Sequence, residues 1–115
     1  MEKFHISLTE AITQLSKETI QKFTVLLKHG TMSIEYFAPE KFDTQKPHKQ
    51  DEIYIIASGS GTFFRNGERI SFSTGDVLFV PTGMEHRFEN FTDDFATWVI
   101  FYGKEGGENP SSEDE

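Results

Sequence analysis

The tightest constraint on this chain is the spacing of its turn signals. From residue 52 to 102, runs of five to eight residues rich in Ile, Val, Phe and Tyr are separated by Ser58-Gly59-Ser60-Gly61, Asn66-Gly67, Thr74-Gly75, Pro81-Thr82-Gly83 and Thr92-Asp93-Asp94. Runs this short suit strands, not helices of ordinary length. Strands are expected at about 52–57, 61–65, 69–73, 76–80, 85–89 and 95–102. Asn66-Gly67 fits a type I′ hairpin turn, because both residues tolerate positive φ.

Upstream, the period changes once. Ser7-Leu8-Thr9-Glu10 is a capping-box pattern, and Leu8, Ala11, Ile12 and Leu15 follow at helical spacing, so one short amphipathic helix is expected over about 8–16. Phe23, Val25 and Leu27 then alternate. After the His29-Gly30 turn, Met32, Ile34 and Tyr36 are opposed by Ser33 and Glu35. This is a second hairpin, ended by Pro39 and a polar loop over 38–47. Many short strands and one helix describe an antiparallel sandwich or barrel.

The 115 residues suffice for one domain with one core, placed at 1–103. Residues 104–115 hold five acids and one Lys without apolar anchors, and read as a mobile, solvating tail. The net charge of −8 opposes binding to nucleic acid or an anionic membrane, since both reward clustered Lys and Arg. No stretch can span a membrane as a helix, and residues 1–15 lack the apolar core of a secretory signal; a cytoplasmic setting is expected. Cysteine is absent, so a bound metal must sit on nitrogen and oxygen.

Several strands are apolar on both faces: EIYIIA at 52–57, VLFV at 77–80 and FATWVIFY at 95–102. An antiparallel sheet with one wet face should alternate. Either the N-terminal helix or a second copy of the chain covers the outer face, and a homodimer is the expectation adopted.

Chemistry concentrates in two stretches. After Pro81-Thr82-Gly83, the alternation of Glu85-His86-Arg87-Phe88 places His86 with Phe88 on one face, as a hydrogen-bonded structural residue or a ligand. In QKPHKQDEIYIIASGSG at 45–61, His48, Gln50, Glu52 and Tyr54 share one face in extended chain. Burying an imidazole and a carboxylate together costs several kcal/mol unless a charge compensates. A divalent cation held by His48, Glu52 and His86 would compensate, and two imidazoles with one carboxylate leave positions open for substrate or oxygen.

These residues carry a family resemblance. Gly75, Pro81, Gly83, His86 and Asn90 form G-x5-P-x-G-x2-H-x3-N, which resembles the second motif of the cupin family, and Glu52 with Gly59 resembles the end of the first. The motifs cover about 45–90. The resemblance implies an all-β double-stranded β-helix (jelly-roll) barrel with one short N-terminal helix. It also implies ligand roles for His48, Glu52 and His86. The first motif departs from the family pattern: counting back from Glu52, its two histidine positions fall at Lys46 and His48. With a shorter loop His48 is the first and Gln50 replaces the second. Either way one imidazole is missing.

Iron, manganese, nickel, zinc or copper all suit such donors, magnesium less so. Lys46, Gln50, Tyr54, Phe88, Trp98 and Tyr102 are the candidates for a substrate pocket. His5, His29 and Arg65 read as exposed polar residues. The function expected is a metal-dependent enzyme of oxygenase, isomerase or decarboxylase type on a small polar molecule, without a choice among these reactions. Two other readings stay open: a metal-free acid–base enzyme like the sugar-nucleotide epimerases that share the fold, with Tyr54 or Tyr102 as acid, and a non-catalytic small-ligand-binding module.

Overall fold

The computed structural model describes residues 3–43 and 47–109. One helix, α1 (Leu8–Ser16), precedes eight strands: β1 (Phe23–His29), β2 (Met32–Phe37), β3 (Asp51–Ser58), β4 (Ser60–Arg65), β5 (Glu68–Ser73), β6 (Val77–Val80), β7 (His86–Glu89) and β8 (Ala96–Tyr102). They form a five-stranded sheet in the order β1-β2-β8-β3-β6 and a three-stranded sheet in the order β5-β4-β7, every pairing antiparallel. This is the jelly-roll barrel expected.

Local chemistry explains the element ends. Ser7 Oγ accepts a hydrogen bond from the Glu10 backbone N–H at 3.0 Å, capping α1. Asn66 and Gly67 have φ of 47° and 87°, as a type I′ turn requires. Gly61 is fixed for another reason: a Cβ there would lie 2.8 Å from the Phe91 Cα.

The interior is divided along its length. Tyr54, Phe63, Phe72, Phe88 and Phe95 are buried together, with ring centroids 4.7–5.9 Å apart along the chain of contacts. Each buried ring contributes roughly 2–3 kcal/mol of transfer free energy. Phe88, a pocket candidate from the sequence, belongs to this dry packing.

Register settles which face of each large-sheet strand points inward. Glu52 stands opposite Phe101 and Val80, and Phe101 opposite Ser33; Tyr54 stands opposite Val99 and Leu78, and Val99 opposite Glu35. Directly opposed residues share a face, so Ser33 and Glu35 of β2 join Glu52 and Tyr54 inside. Ile34 and Tyr36 face outward.

A bulge between Val25 and Leu27 corrects the simple alternation of β1. Val25 pairs with Glu35 on the inner face, whereas Leu27 pairs with Ile34 on the outer one. The extra residue reverses the parity.

α1 covers one end of the outer face. Ala11 packs with Tyr36 and Ala96, flanked by Leu15 and Trp98, and Gln14 Nε2 donates to Thr24 Oγ1 and the Val25 carbonyl. Leu8 and Ile12, read as part of the helix's apolar stripe, stay largely exposed because the contact is made through small Ala11. Beyond the helix, Phe4, Ile6, Leu27, Ile34, Ile55, Trp98 and Ile100 line an open apolar groove. No helix among the described residues is long and apolar enough to cross a membrane.

The C-terminal segment 103–109 lies against the barrel. Gly106 N–H donates to the Lys49 carbonyl and Glu108 N–H to Asp51 Oδ2, both at 2.8 Å, and Gly107 is buried. The sequence placed residues 104–109 in the mobile tail; these backbone bonds tie them down, and 110–115 lie outside the described residues.

Candidate metal centre

Three side chains from three places in the sequence meet inside the barrel. Glu52 enters from β3 and His86 from the first residue of β7, while His48 stands on the loop before β3. Their ligand atoms all lie within 4.8 Å of one another. Glu52 and His86 are 1% and 3% exposed; His48 is half-buried and faces a cavity.

Hydrogen bonding assigns the His86 tautomer. Nδ1 lies 2.8 Å from the Met84 carbonyl oxygen, which can only accept, so Nδ1 carries the proton. Nε2 is then a lone pair, 3.1 Å from the Tyr54 hydroxyl and 2.8 Å from Glu52 Oε1. Neither Glu52 oxygen receives a directed hydrogen bond among the described residues. A lone pair and a carboxylate oxygen at that distance repel unless a cation, a proton or a metal, lies with them.

Protonation of His86 is one answer. Burial, the largest influence, works against its charge, but the Glu52 carboxylate, the Met84 carbonyl and the Asp43 charge outweigh it and raise its pKa. A divalent metal on the three donor atoms is the other answer, and it removes the repulsion and pairs the buried carboxylate at once. The donor set therefore fits a nitrogen- and oxygen-liganded metal.

The Pro81-Thr82-Gly83 turn has a second task besides restarting the chain at His86. Gly83 N–H and Thr82 Oγ1 both donate to the His48 carbonyl, at 2.9 and 3.0 Å. The turn that precedes one imidazole therefore grips the backbone of the other. Gly83 has φ of 74°, which a residue with a Cβ adopts only under strain.

The cavity in front of His48 has a volume of about 420 Å³. Phe23, Val25, Phe37, Val99 and Phe101 form its apolar walls, while Ser33, Glu35, Gln50, Lys28, Lys49 and Glu105 supply polar groups. The His48 ring meets the Phe101 ring edge-on, centroids 4.7 Å apart. Burial, together with the nearby Glu52 charge, pushes the Glu35 pKa up to about 6, against the partial relief of Lys28.

The sequence-derived candidates separate clearly. His48, Glu52 and His86 come together, with Tyr54 directly behind His86. Gln50 lines the cavity, but its amide nitrogen donates to the Thr31 and Gly103 carbonyls at the rim. Trp98 lies on the opposite side of the sheet, stacked edge-on against Tyr36 in the outer groove, and alternation puts Tyr102 on that same outer side. Lys46 lies outside the described residues. Glu35 was not among the candidates, because the polar face of β2, with Ser33 and Glu35, is the one turned inward.

The cupin domain model matches residues 33–102. An uncharacterized protein of Streptomyces coelicolor is 34% identical over 77 residues, covering 65% of this chain and 73% of that one. The HTH-type transcriptional activator RhaS of Yersinia pestis is 36% identical over 70 residues, covering 61% of this chain. That stretch is 26% of RhaS. The crystal structure of a Cupin 2 conserved barrel domain protein from Salinispora arenicola superposes with a TM-score of 0.66 at 18% identity, covering 90% of each chain, a likeness of fold.

Proposed function

The chain belongs to the cupin domain family, and from that premise we propose that it is a metal-dependent cupin acting on a small polar molecule, with His48, Glu52 and His86 as the metal ligands. The observation that carries this reading is the Glu52 carboxylate, almost fully buried without a directed hydrogen bond among the described residues, and faced by two imidazoles. The metal would be iron, manganese, nickel, zinc or copper, and when bound it supplies a Lewis acid for a substrate oxygen.

The chain's own residues do the rest. Phe23, Phe37 and Phe101 exclude water from the cavity, and Lys28 and Lys49 at its rim favour a substrate that carries a negative group. Glu35, poised near pH 6, can accept a proton from substrate or return one at neutral pH. Oxygenation, isomerisation and decarboxylation all remain compatible with such a site.

A non-catalytic ligand-binding role is the second reading, favoured by the match to part of a transcriptional activator. Metal content separates the two. Elemental analysis of purified protein should give near-stoichiometric transition metal that falls sharply in His48→Ala and His86→Ala. If wild type takes up none after incubation with each candidate metal, the metal-dependent reading fails and metal-free acid–base chemistry or simple ligand binding replaces it.

We propose in addition that a second copy covers the outer face, within the cytoplasm. One row across the large sheet, Leu27, Ile34, Ile100, Ile53 and Phe79, is wholly apolar, and Phe79 and Ile55 stay substantially exposed. Light scattering should give twice the chain mass for wild type and a monomer for Phe79→Lys. A wild-type monomer would refute the pairing.

A further inference from the structure

The three ligands are not held alike. Glu52 and His86 sit within strands, where ladder hydrogen bonds fix their backbones. His48 lies three residues before β3 begins and has no ladder. A metal ligand on a loop needs another restraint, because misplacing a donor by even a fraction of an ångström weakens coordination.

The restraint is a clasp centred on Asp51, which is 4% exposed. Asp51 Oδ1 accepts from the Thr82 N–H at 2.9 Å, and Asp51 Oδ2 accepts from the Glu108 N–H at 2.8 Å. Thr82 in turn donates through Oγ1 to the His48 carbonyl. Gly106 N–H adds a bond to the Lys49 carbonyl, the residue after His48. Gly107 closes the packing: a Cβ there would lie 2.7 Å from Thr82 Cγ2. The loop at 48–51 is thus held between the turn at 81–83 and the C-terminal segment.

We propose that Asp51, with Thr82 and the C-terminal segment it ties down, is the positioning element of the His48 ligand. The inference rests on the metal-centre reading and deepens it. Both carboxylate oxygens of Asp51 are committed to backbone donors, so its task is to fix two segments against the loop, not to bind metal itself. Asn in its place would present an NH₂ group to one of those N–H donors and lose that bond.

The test uses full-length protein and Co(II) alone, followed by visible absorption and by the paramagnetically shifted imidazole N–H signals. Asp51→Asn and Thr82→Val should weaken Co(II) binding by roughly 10- to 100-fold. They should displace the His48 signal and leave that of His86 in place. Thr82→Ser, which keeps the hydroxyl, should bind close to wild type. Gly61→Ala, destabilised by the approach to Phe91, controls for stability alone and should keep the wild-type spectrum.

Two outcomes would overturn the proposal while leaving the metal centre intact. One is Co(II) binding lost in His86→Ala but unchanged in both Asp51→Asn and Thr82→Val. The other is an equal loss in Thr82→Ser and Thr82→Val, or in Gly61→Ala. No Co(II) binding by wild type would remove the metal-centre reading itself, and the positioning role with it.

Discussion

The two ends of the barrel interior are built on opposite principles. At one end the rings of Phe72, Phe88, Phe95 and half-buried Phe91 pack at centroid distances of 4.7–5.3 Å, Phe72 edge-on to Phe88 and the other pairs tilted. At the other, Glu52, His86 and His48 converge, and Glu35 lines the adjoining cavity. Burial of these rings stabilises the first end with little dependence on pH, because the rings themselves carry no titratable group. The second end is destabilising in isolation and becomes favourable only with a cation present. The aromatic end supplies the stability that lets the polar end remain strained.

The sharpest way to break this comparison is to damage the dry end. Phe95→Ala removes a ring that is 2% exposed and should cost about 3–5 kcal/mol in urea unfolding. Metal affinity of the folded molecules should stay unchanged, because the ring does not touch the ligands. Affinity falling in step with stability would show that the two ends are mechanically one.

Glu52→Gln tests the strained end. Without metal, and at a pH where His86 is neutral, it should stabilise the protein by about 1–3 kcal/mol, since an unpaired buried carboxylate is replaced by a neutral amide of the same shape. With Zn(II) at 100 times the wild-type Kd, wild type gains about 2.7 kcal/mol and the variant nothing, so the gap should close or reverse. A variant less stable than wild type in chelator would mean that Glu52 is already paired.

The smallest effect belongs to Glu35. Its folded pKa of about 6 exceeds the ordinary 4.5, so ionisation is harder in the folded state. Protonation therefore favours folding: the penalty is absent below about pH 4.5 and complete above about pH 6. After discounting for partial exposure, Glu35→Gln should gain about 1 kcal/mol at pH 8 and nothing at pH 4. Unfolding measured across that range gives the answer, and parallel curves for the two proteins would refute it.

How much of this was legible in the sequence follows from what each signal encodes. Turn residues state their own conformation, so Asn66-Gly67 and the Ser7 cap were readable from a few letters. Even spacing brought His48, Glu52 and Tyr54 to one face, and alternation after the Pro81-Thr82-Gly83 turn singled out His86. Alternation does not say which face is inside, and β8 is apolar on both, so the sequence could not tell that Trp98 and Tyr102 lie on the side away from the three candidate ligands. Glu35 was hidden by the habit of turning polar faces outward, and the β1 bulge depends on register with β2, which no single strand reveals. The clasp was unreadable because its backbone donors have no residue signature.

The clasp also orders events in time. Its bonds join residues 31, 34 and 57 positions apart. Closing such loops is slow compared with forming the hairpins on either side, and the last donor, Glu108, follows both Glu52 and His86 in the chain. A nascent chain would therefore display two ligands before the third is set. Metal picked up early would be held loosely and exchanged freely, and retention would begin only when the last partner of Asp51 arrives.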